Sequence, residues 1–296
     1  MHLVTFQSAG RSRIGILDPS SAEITDFSQA APDLPDTMQS FIAMGNAGLT
    51  EARLAIKRGT GRVPVSTVRL LAPMPNPRRN IFCVGKNYRE HARELQSSNV
   101  LNDNSGEIIP EVPIFFTKAT SSVIGPNEPI PGWLDPESST DYEGELGVII
   151  GSGGRGITRA EAMQHVYGYT IINDVTSRGL QRRHAQWFLG KSLDGYCPMG
   201  PALVTIDEVP DIGSSRLQTH VNGELRQQAL ISELIFDIPT LIEVLSRTMT
   251  LETGDIIATG TPAGVGAGFK PPKYLKKGDV VVVTVDRIGR LENAVA

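Results

Sequence analysis

Cysteine is almost missing from this chain. Of 296 residues only Cys83 and Cys197 carry a thiol. Two thiols so far apart rule out a thiolate metal cluster and suit a reducing compartment. Long apolar runs are missing too. No stretch nears the roughly 20 apolar residues that a membrane helix requires, and the N-terminal MHLVTFQSAGRSRIGILD lacks the charged start, apolar run and cleavage site of a secretory signal. Nor does either sign of charge dominate. The net charge of -4 provides no basic field for nucleic acid. The expected location is therefore cytoplasmic, and neither nucleic acid nor membrane is an expected partner. There is no internal repeat and no low-complexity segment.

With 40 % apolar and 20 % charged residues, the chain has the composition of an ordinary globular protein with ample core. HLVTF and RIGILD read as a hairpin, and TMQSFIAMGNAGLTEARLAIKRG has helical spacing. The proline-rich APMPNPRRN that follows is an extended linker. These features divide the chain into a small α+β domain, 1–75 with its linker, and a larger domain, 76–296. The larger part holds many short strand patterns and few helices, which predicts a β-rich α+β fold with a mixed sheet, rolled or barrel-like. Asn222-Gly223 between alternating runs predicts a hairpin. Thr158 with Glu161 predicts a helix start by capping box, and Asp237 with Pro239 predicts another.

DYEGELGVII, residues 141–150, sets Glu143 and Glu145 two apart in what otherwise reads as a buried strand, so they share a face. Two buried like charges need compensation. Asp174, at the end of the apolar GYTIIND, is a third acid. Three carboxylates without thiol or imidazole form a hard oxygen site that suits Mg²⁺, with Mn²⁺ or Ca²⁺ possible, and not zinc. On spacing alone, the solvent face of an edge strand fits Glu143 and Glu145 equally well. GSGGRG, residues 151–156, has dinucleotide-fingerprint spacing. Its glycines precede the predicted helix start at Thr158, so they cannot present helix N–H groups to a pyrophosphate.

Seven segments in order tip the balance: IFCVGKNYREHARE, FFTKATSSVIGP, DYEGELGVII, GYTIINDVTSRGLQ, GKSLDGYCPMGP, GDIIATGTPAGVG and LKKGDVVVVTVDRIGRLEN. Over residues 80–296 the sequence resembles the fumarylacetoacetate hydrolase superfamily. The resemblance implies a rolled mixed β fold with a divalent metal on Glu143, Glu145 and Asp174. It also implies chemistry on small oxo acids: hydrolysis of a carbon–carbon bond in an acylpyruvate, or decarboxylation or isomerisation on the same fold. Lys191 in GKSLDG matches the family's active-site lysine, whereas taken alone it would be a surface lysine. His91 and Glu94, three apart on a helix face, match a catalytic His-x-x-Glu on a lid helix. Without the resemblance they would read as a charged, solvated helix. The polar run 95–112 reads as a continuation of that lid.

Lys118, Ser122, Arg178, Gln181 and Thr261 match positions that line the pocket in relatives, with Arg178 placed to hold a second carboxylate. Gly179 departs from the family's R-D-x-Q pattern and leaves the orientation of Arg178 open. The expected protein is thus a Mg²⁺-dependent hydrolase of acylpyruvate-type acids that assembles as a homodimer. A decarboxylase or isomerase is the runner-up. A non-catalytic metal-binding protein would be expected to have lost Lys191 or His91.

Overall fold

Short β-branched runs bounded by glycine and proline dominate the chain after residue 80. The computed structural model, which describes residues 1–97 and 109–296, turns them into strands. From edge to edge the large sheet runs Arg62–Pro64, Glu23–Asp26, Arg11–Asp18, His2–Ser8, Cys197–Thr205, Val166–Asn173, Gly144–Ile150, Ile256–Ala258, Ile81–Gly85 and Ile114–Lys118. Two short strands, Arg69–Leu70 and Val123–Ile124, pair beside this path. Ile256–Ala258 lies parallel to Ile81–Gly85, while its other neighbour is antiparallel, so the sheet is mixed. The path is open among the described residues: its two edge strands do not pair to close a barrel.

The first 70 residues extend this same sheet. His2 and Leu3 pair with Val204 and Leu203, and the proline run docks on the first strand, where the Thr5 hydroxyl donates to the Pro73 carbonyl at 2.8 Å. Two helices, Met38–Ala43 and Gly45–Arg58, cover this part.

A second sheet of four antiparallel strands, Glu224–Leu230, Arg216–Val221, Val280–Val285 and Gly289–Ala294, packs over the first. Its valines alternate as a one-sided strand requires, with Val281, Val283 and Val285 buried. The turn joining its first pair takes positive φ at Asn222 (53°) and Gly223 (81°), the hairpin geometry predicted. The two sheets meet at Gly144, where a Cβ would lie 2.2 Å from Thr219 Oγ1 and 3.0 Å from Val283 Cγ1.

The helix Ile238–Thr248 begins as predicted, with Asp237 accepting from the Thr240 N–H at 3.0 Å. The helix predicted from Thr158 does not form. Thr158 bonds the Glu161 carboxylate at 2.7 Å, and the chain then makes only one 3₁₀ turn, Ala162–His165, held against the helix Ile238–Thr248 before entering the next strand. Those few residues between anchored ends have no room for an α-helix. The glycines before it are tied down as well: Gly154 exchanges bonds with Leu251, and Gly156 donates to the Ser246 carbonyl. No helix N-terminus is available there for a pyrophosphate. Among the described residues no helix is long and apolar enough to cross a membrane.

Candidate active site

The strand Gly144–Ile150 lies between two others and is buried on both faces, which excludes a solvent-facing edge. Gly144 pairs with Asn173, so Glu143 and Asp174 become neighbours: the Asp174 N–H donates to the Glu143 carbonyl at 2.8 Å. Glu145 follows on the same face. The ligand oxygens of Glu143, Glu145 and Asp174 lie within 4.8 Å of one another, all three side chains buried. Register thus brings together acids 31 residues apart.

Cations surround this group. Lys191 Nζ donates to Glu143 Oε2 and Asp174 Oδ2, each at 2.7 Å. Lys118 Nζ donates to Asp174 Oδ1 at 2.7 Å, to the Val175 carbonyl and to the Lys191 carbonyl. Arg178 donates from Nε to Asp141 Oδ2 at 2.8 Å and from Nη1 to Gln181 Oε1 at 3.1 Å. Its Nη2 lies 2.7 Å from Glu143 Oε1.

Against these three cations stand four buried carboxylates, Asp141, Glu143, Glu145 and Asp174. Of the four, Glu145 alone makes no ion pair with these cations. The Gly260 N–H at 2.8 Å is its direct donor. Burial, with Asp174 and Glu143 alongside, pushes the Glu145 carboxyl well above the usual range. Burial works the same way on Glu143, but Lys191, Arg178 and His91 outweigh it and hold that carboxyl at about 2. Lys191 is raised: burial opposes its charge, and Asp174 and Glu143 prevail. A hard divalent cation fits this donor set, because three converging carboxylate oxygens suit it and Glu145 has no cation of its own.

The helix Arg89–Ser97 covers the group. His91 is buried, and its Nδ1 lies 3.1 Å from Glu94 Oε2. The other Glu94 oxygen accepts from the Gly264 N–H at 2.9 Å. With Nδ1 taken by Glu94, Nε2 is the nitrogen left to exchange protons. The helix is anchored at its start by Asn87, whose amide donates to the Phe236 and Thr259 carbonyls and accepts from the Phe236 N–H. Of the predicted lid continuation, residues 98–108 lie outside the described residues.

Glu143, Glu145, Arg178, Gln181, Lys191, His91 and Thr261 all line one cavity. Thr261 is fixed there, donating to the Gly144 carbonyl and accepting from Gln227. Lys118 lies deeper, a support for Asp174. The Ser122 hydroxyl donates to the Ala119 carbonyl and is not among the cavity-lining residues. Arg178 needs no aspartate at 179, since Asp141 orients it. A Cβ at Gly179 would lie 2.3 Å from the Glu137 Cβ, so glycine matches this packing.

Sequence reasoning missed Asp141 and three residues of the cavity wall, Lys86, Phe116 and Trp187. Asp141 was visible in principle, because Asp141, Glu143 and Glu145 follow one period-two series. Its carboxylate also accepts from the Gly266 and Ala267 N–H groups. The aromatic wall had no sequence signal: Phe116 and Trp187 meet edge to face at 5.3 Å, and Lys191 sits 5.0 Å above Phe116. Cys197 is buried and its thiol is pushed up to about 12 by burial, which leaves it inert.

Comparison with known proteins agrees with this geometry. The profile of the fumarylacetoacetate (FAA) hydrolase C-terminal family matches residues 80–296. An oxaloacetate tautomerase of Bacillus subtilis is 46 % identical over 270 residues, 88 % of this chain and 87 % of that protein. The solved structure of a fumarylacetoacetate hydrolase from Exiguobacterium antarcticum superposes with a TM-score of 0.81 at 42 % identity, covering 100 % of this chain and 99 % of the other. A maleylpyruvate hydrolase from Sphingobium, solved with manganese(II) and pyruvate, superposes at 0.79 with 31 % identity and the same coverage. The chain belongs to the fumarylacetoacetate hydrolase superfamily.

Proposed function

We propose that the chain is a divalent-metal-dependent enzyme acting on small 2-oxo acids, with keto–enol interconversion of a compact oxo-diacid such as oxaloacetate as its leading reaction. The observation that carries this reading is the convergence of Glu143, Glu145 and Asp174 beneath the buried His91–Glu94 pair. A cation held there supplies Lewis-acid polarisation of a carbonyl oxygen. Lys191 places a second positive charge where oxygen charge develops. His91, held by Glu94, takes the C3 proton through Nε2 and passes it to the enolate oxygen, and carries it back to C3 when the enol reverts. The guanidinium of Arg178 is engaged by Asp141, Glu143 and Gln181, which makes it a fixed positive wall toward a substrate carboxylate.

The 46 % identical relative, named an oxaloacetate tautomerase, favours the small substrate. Hydrolysis of an acylpyruvate, the expectation from sequence, is the second reading. The same His91–Glu94 pair can activate water, and relatives at 31 % identity include a maleylpyruvate hydrolase. The working assembly is taken to be a homodimer, checked by light scattering against the 31.9 kDa chain mass.

The deciding experiment follows enol absorbance and pyruvate release in parallel for oxaloacetate and a panel of acylpyruvates, with Mg²⁺ or Mn²⁺ and with chelator. The proposal expects metal-dependent acceleration of the oxaloacetate enol decay without matching pyruvate. Acceleration of pyruvate release from acylpyruvates alone would transfer the assignment to hydrolysis, and no acceleration of either would remove both.

A further inference from the structure

A second concave region of about 930 Å³ lies away from the carboxylates, between the four-stranded sheet and the loop 264–279. It is within the size range of small-molecule sites. Four of its lining residues are cations: Arg226, Lys273, Lys276 and Lys277. Three anionic groups stand beside them: Asp279 and the terminal carboxylate of Ala296 in the lining, and Glu224 paired with Arg226 and Lys273. Asp279 is already occupied, accepting from Asn222 at 2.8 Å and from the Lys276 N–H at 2.7 Å. Glu224 is shared by Arg226 and Lys273, at 2.9 and 3.2 Å.

Arg226 is the informative member. Its side chain is 10 % exposed, so nine-tenths of it is enclosed. Nη2 is bonded to Glu224, while Nε and Nη1 meet no acceptor in good geometry among the described residues. The Tyr142 hydroxyl gives its proton to the Gly264 carbonyl, and its oxygen accepts from Arg226. A guanidinium nine-tenths enclosed with donors to spare favours an anionic acceptor. Arg226 and Lys273 also clasp the ring of Phe269, at 5.0 and 4.6 Å. At the other side stands Trp133, 67 % exposed.

We infer that this groove is a binding site for a small polyanion of phosphate type, held by Arg226 and Lys273. Guanidinium and ammonium groups around one concavity with a surplus positive charge recognise phosphate oxygens. The exposed Trp133 ring offers a stacking surface to a base when the phosphates belong to a nucleotide.

The site is wired to the catalytic one. The loop that carries Phe269 and Lys273 also donates from Gly264 to Glu94 and from Gly266 and Ala267 to Asp141. The Lys273 N–H closes back on the Gly266 carbonyl at 2.8 Å. An anion that fixes Lys273 therefore steadies the partners of both His91 and Arg178.

Calorimetry without divalent cation, with tripolyphosphate and ATP as probes, tests the site apart from any enzymatic assay. Tripolyphosphate is expected to bind the parent chain and to bind Arg226→Gln and Lys273→Ala about ten-fold or more weakly. Arg11→Ala, a basic residue on a different surface, is expected to bind as the parent does. ATP binding tighter than tripolyphosphate, with the gain lost in Trp133→Ala, identifies a nucleotide; equal affinities identify free phosphates. Hydrogen exchange of residues 264–275 is expected to slow with tripolyphosphate in the parent and not in Lys273→Ala. The exposed Lys273 guards against misfolding in the Arg226 variant. Unchanged affinity in a folded Lys273→Ala, or no tripolyphosphate binding up to about 10 mM, overturns the site. So does a Trp133 that acrylamide cannot quench in Trp187→Phe protein, because a second copy of the chain then covers the groove.

Discussion

Asp26 in the N-terminal part and Glu145 in the candidate active site are both buried carboxylates, and the molecule treats them in opposite ways. Asp26 is surrounded by donors from its own neighbourhood: Arg13 at 2.7 Å, Gln29 at 3.1 Å, and the Ser28 hydroxyl and N–H at 2.8 and 2.9 Å. Burial opposes its charge, but Arg13, Ser28 and Gln29 prevail and its pKa is lowered. Glu145 has a single backbone donor, two like charges beside it, and a pKa pushed well up. The same desolvation problem is solved within the chain where the residue supports the fold, and left open where a cation is to be held. Unresolved electrostatics of this kind marks functional sites.

The comparison breaks most visibly in activity. Glu143→Gln and Asp174→Asn are expected to lose divalent-cation binding in calorimetry and about 10³-fold or more in turnover. Unchanged affinity in both would falsify the metal site. His91→Ala comes next. It is expected to keep cation affinity while turnover falls by about 10²-fold, the contribution of a proton-transfer group. Near-parental turnover would show that the helix Arg89–Ser97 only covers the site.

Stability variants sharpen the contrast, because the two buried acids are expected to respond with opposite sign. Asp26→Ala leaves Arg13 unpaired and is expected to destabilise the protein by about 2 kcal/mol in denaturant titrations. Glu145→Gln removes an acid that burial and its like-charged neighbours disfavour, and is expected to raise metal-free stability by about 1 kcal/mol. Destabilisation of equal size in both would erase the distinction. The smallest effect is in pH. With its folded pKa lowered, Asp26 contributes stability above the unfolded value of about 3.9, and that contribution fades as the pH falls below it. The stability gap between parent and Asp26→Ala is therefore expected to narrow under acid conditions, and a constant gap would contradict the lowered pKa.

Local signals that the chain closes by itself are legible in the order of its residues. Asn222-Gly223 needs nothing beyond positive φ to make its turn, and Asp237 with Pro239 caps its helix from within. The Thr158 capping box is equally well formed and produces only a turn, since the following residues are drawn into a strand. At the site, the period-two series reaching Glu143 and Glu145 is readable. Ser122 sits in a matching motif yet directs its hydroxyl to Ala119. Trp187 lies in an exposed segment without a pattern and becomes a cavity wall only where Gly85 and Phe116 receive it.

The sequence by itself determined the strand-rich character, the acid pair on one strand face and the histidine and glutamate one helical turn apart. Each of these depends on spacings of two to four residues, which backbone geometry alone converts into direction. Only the tertiary structure decided which acids lack a cation, and that Asp141 rather than a residue at 179 aims Arg178. It also showed that the first 70 residues share the main sheet. Those outcomes depend on strand register and on which charges burial places side by side, quantities set by contacts between segments tens of residues apart.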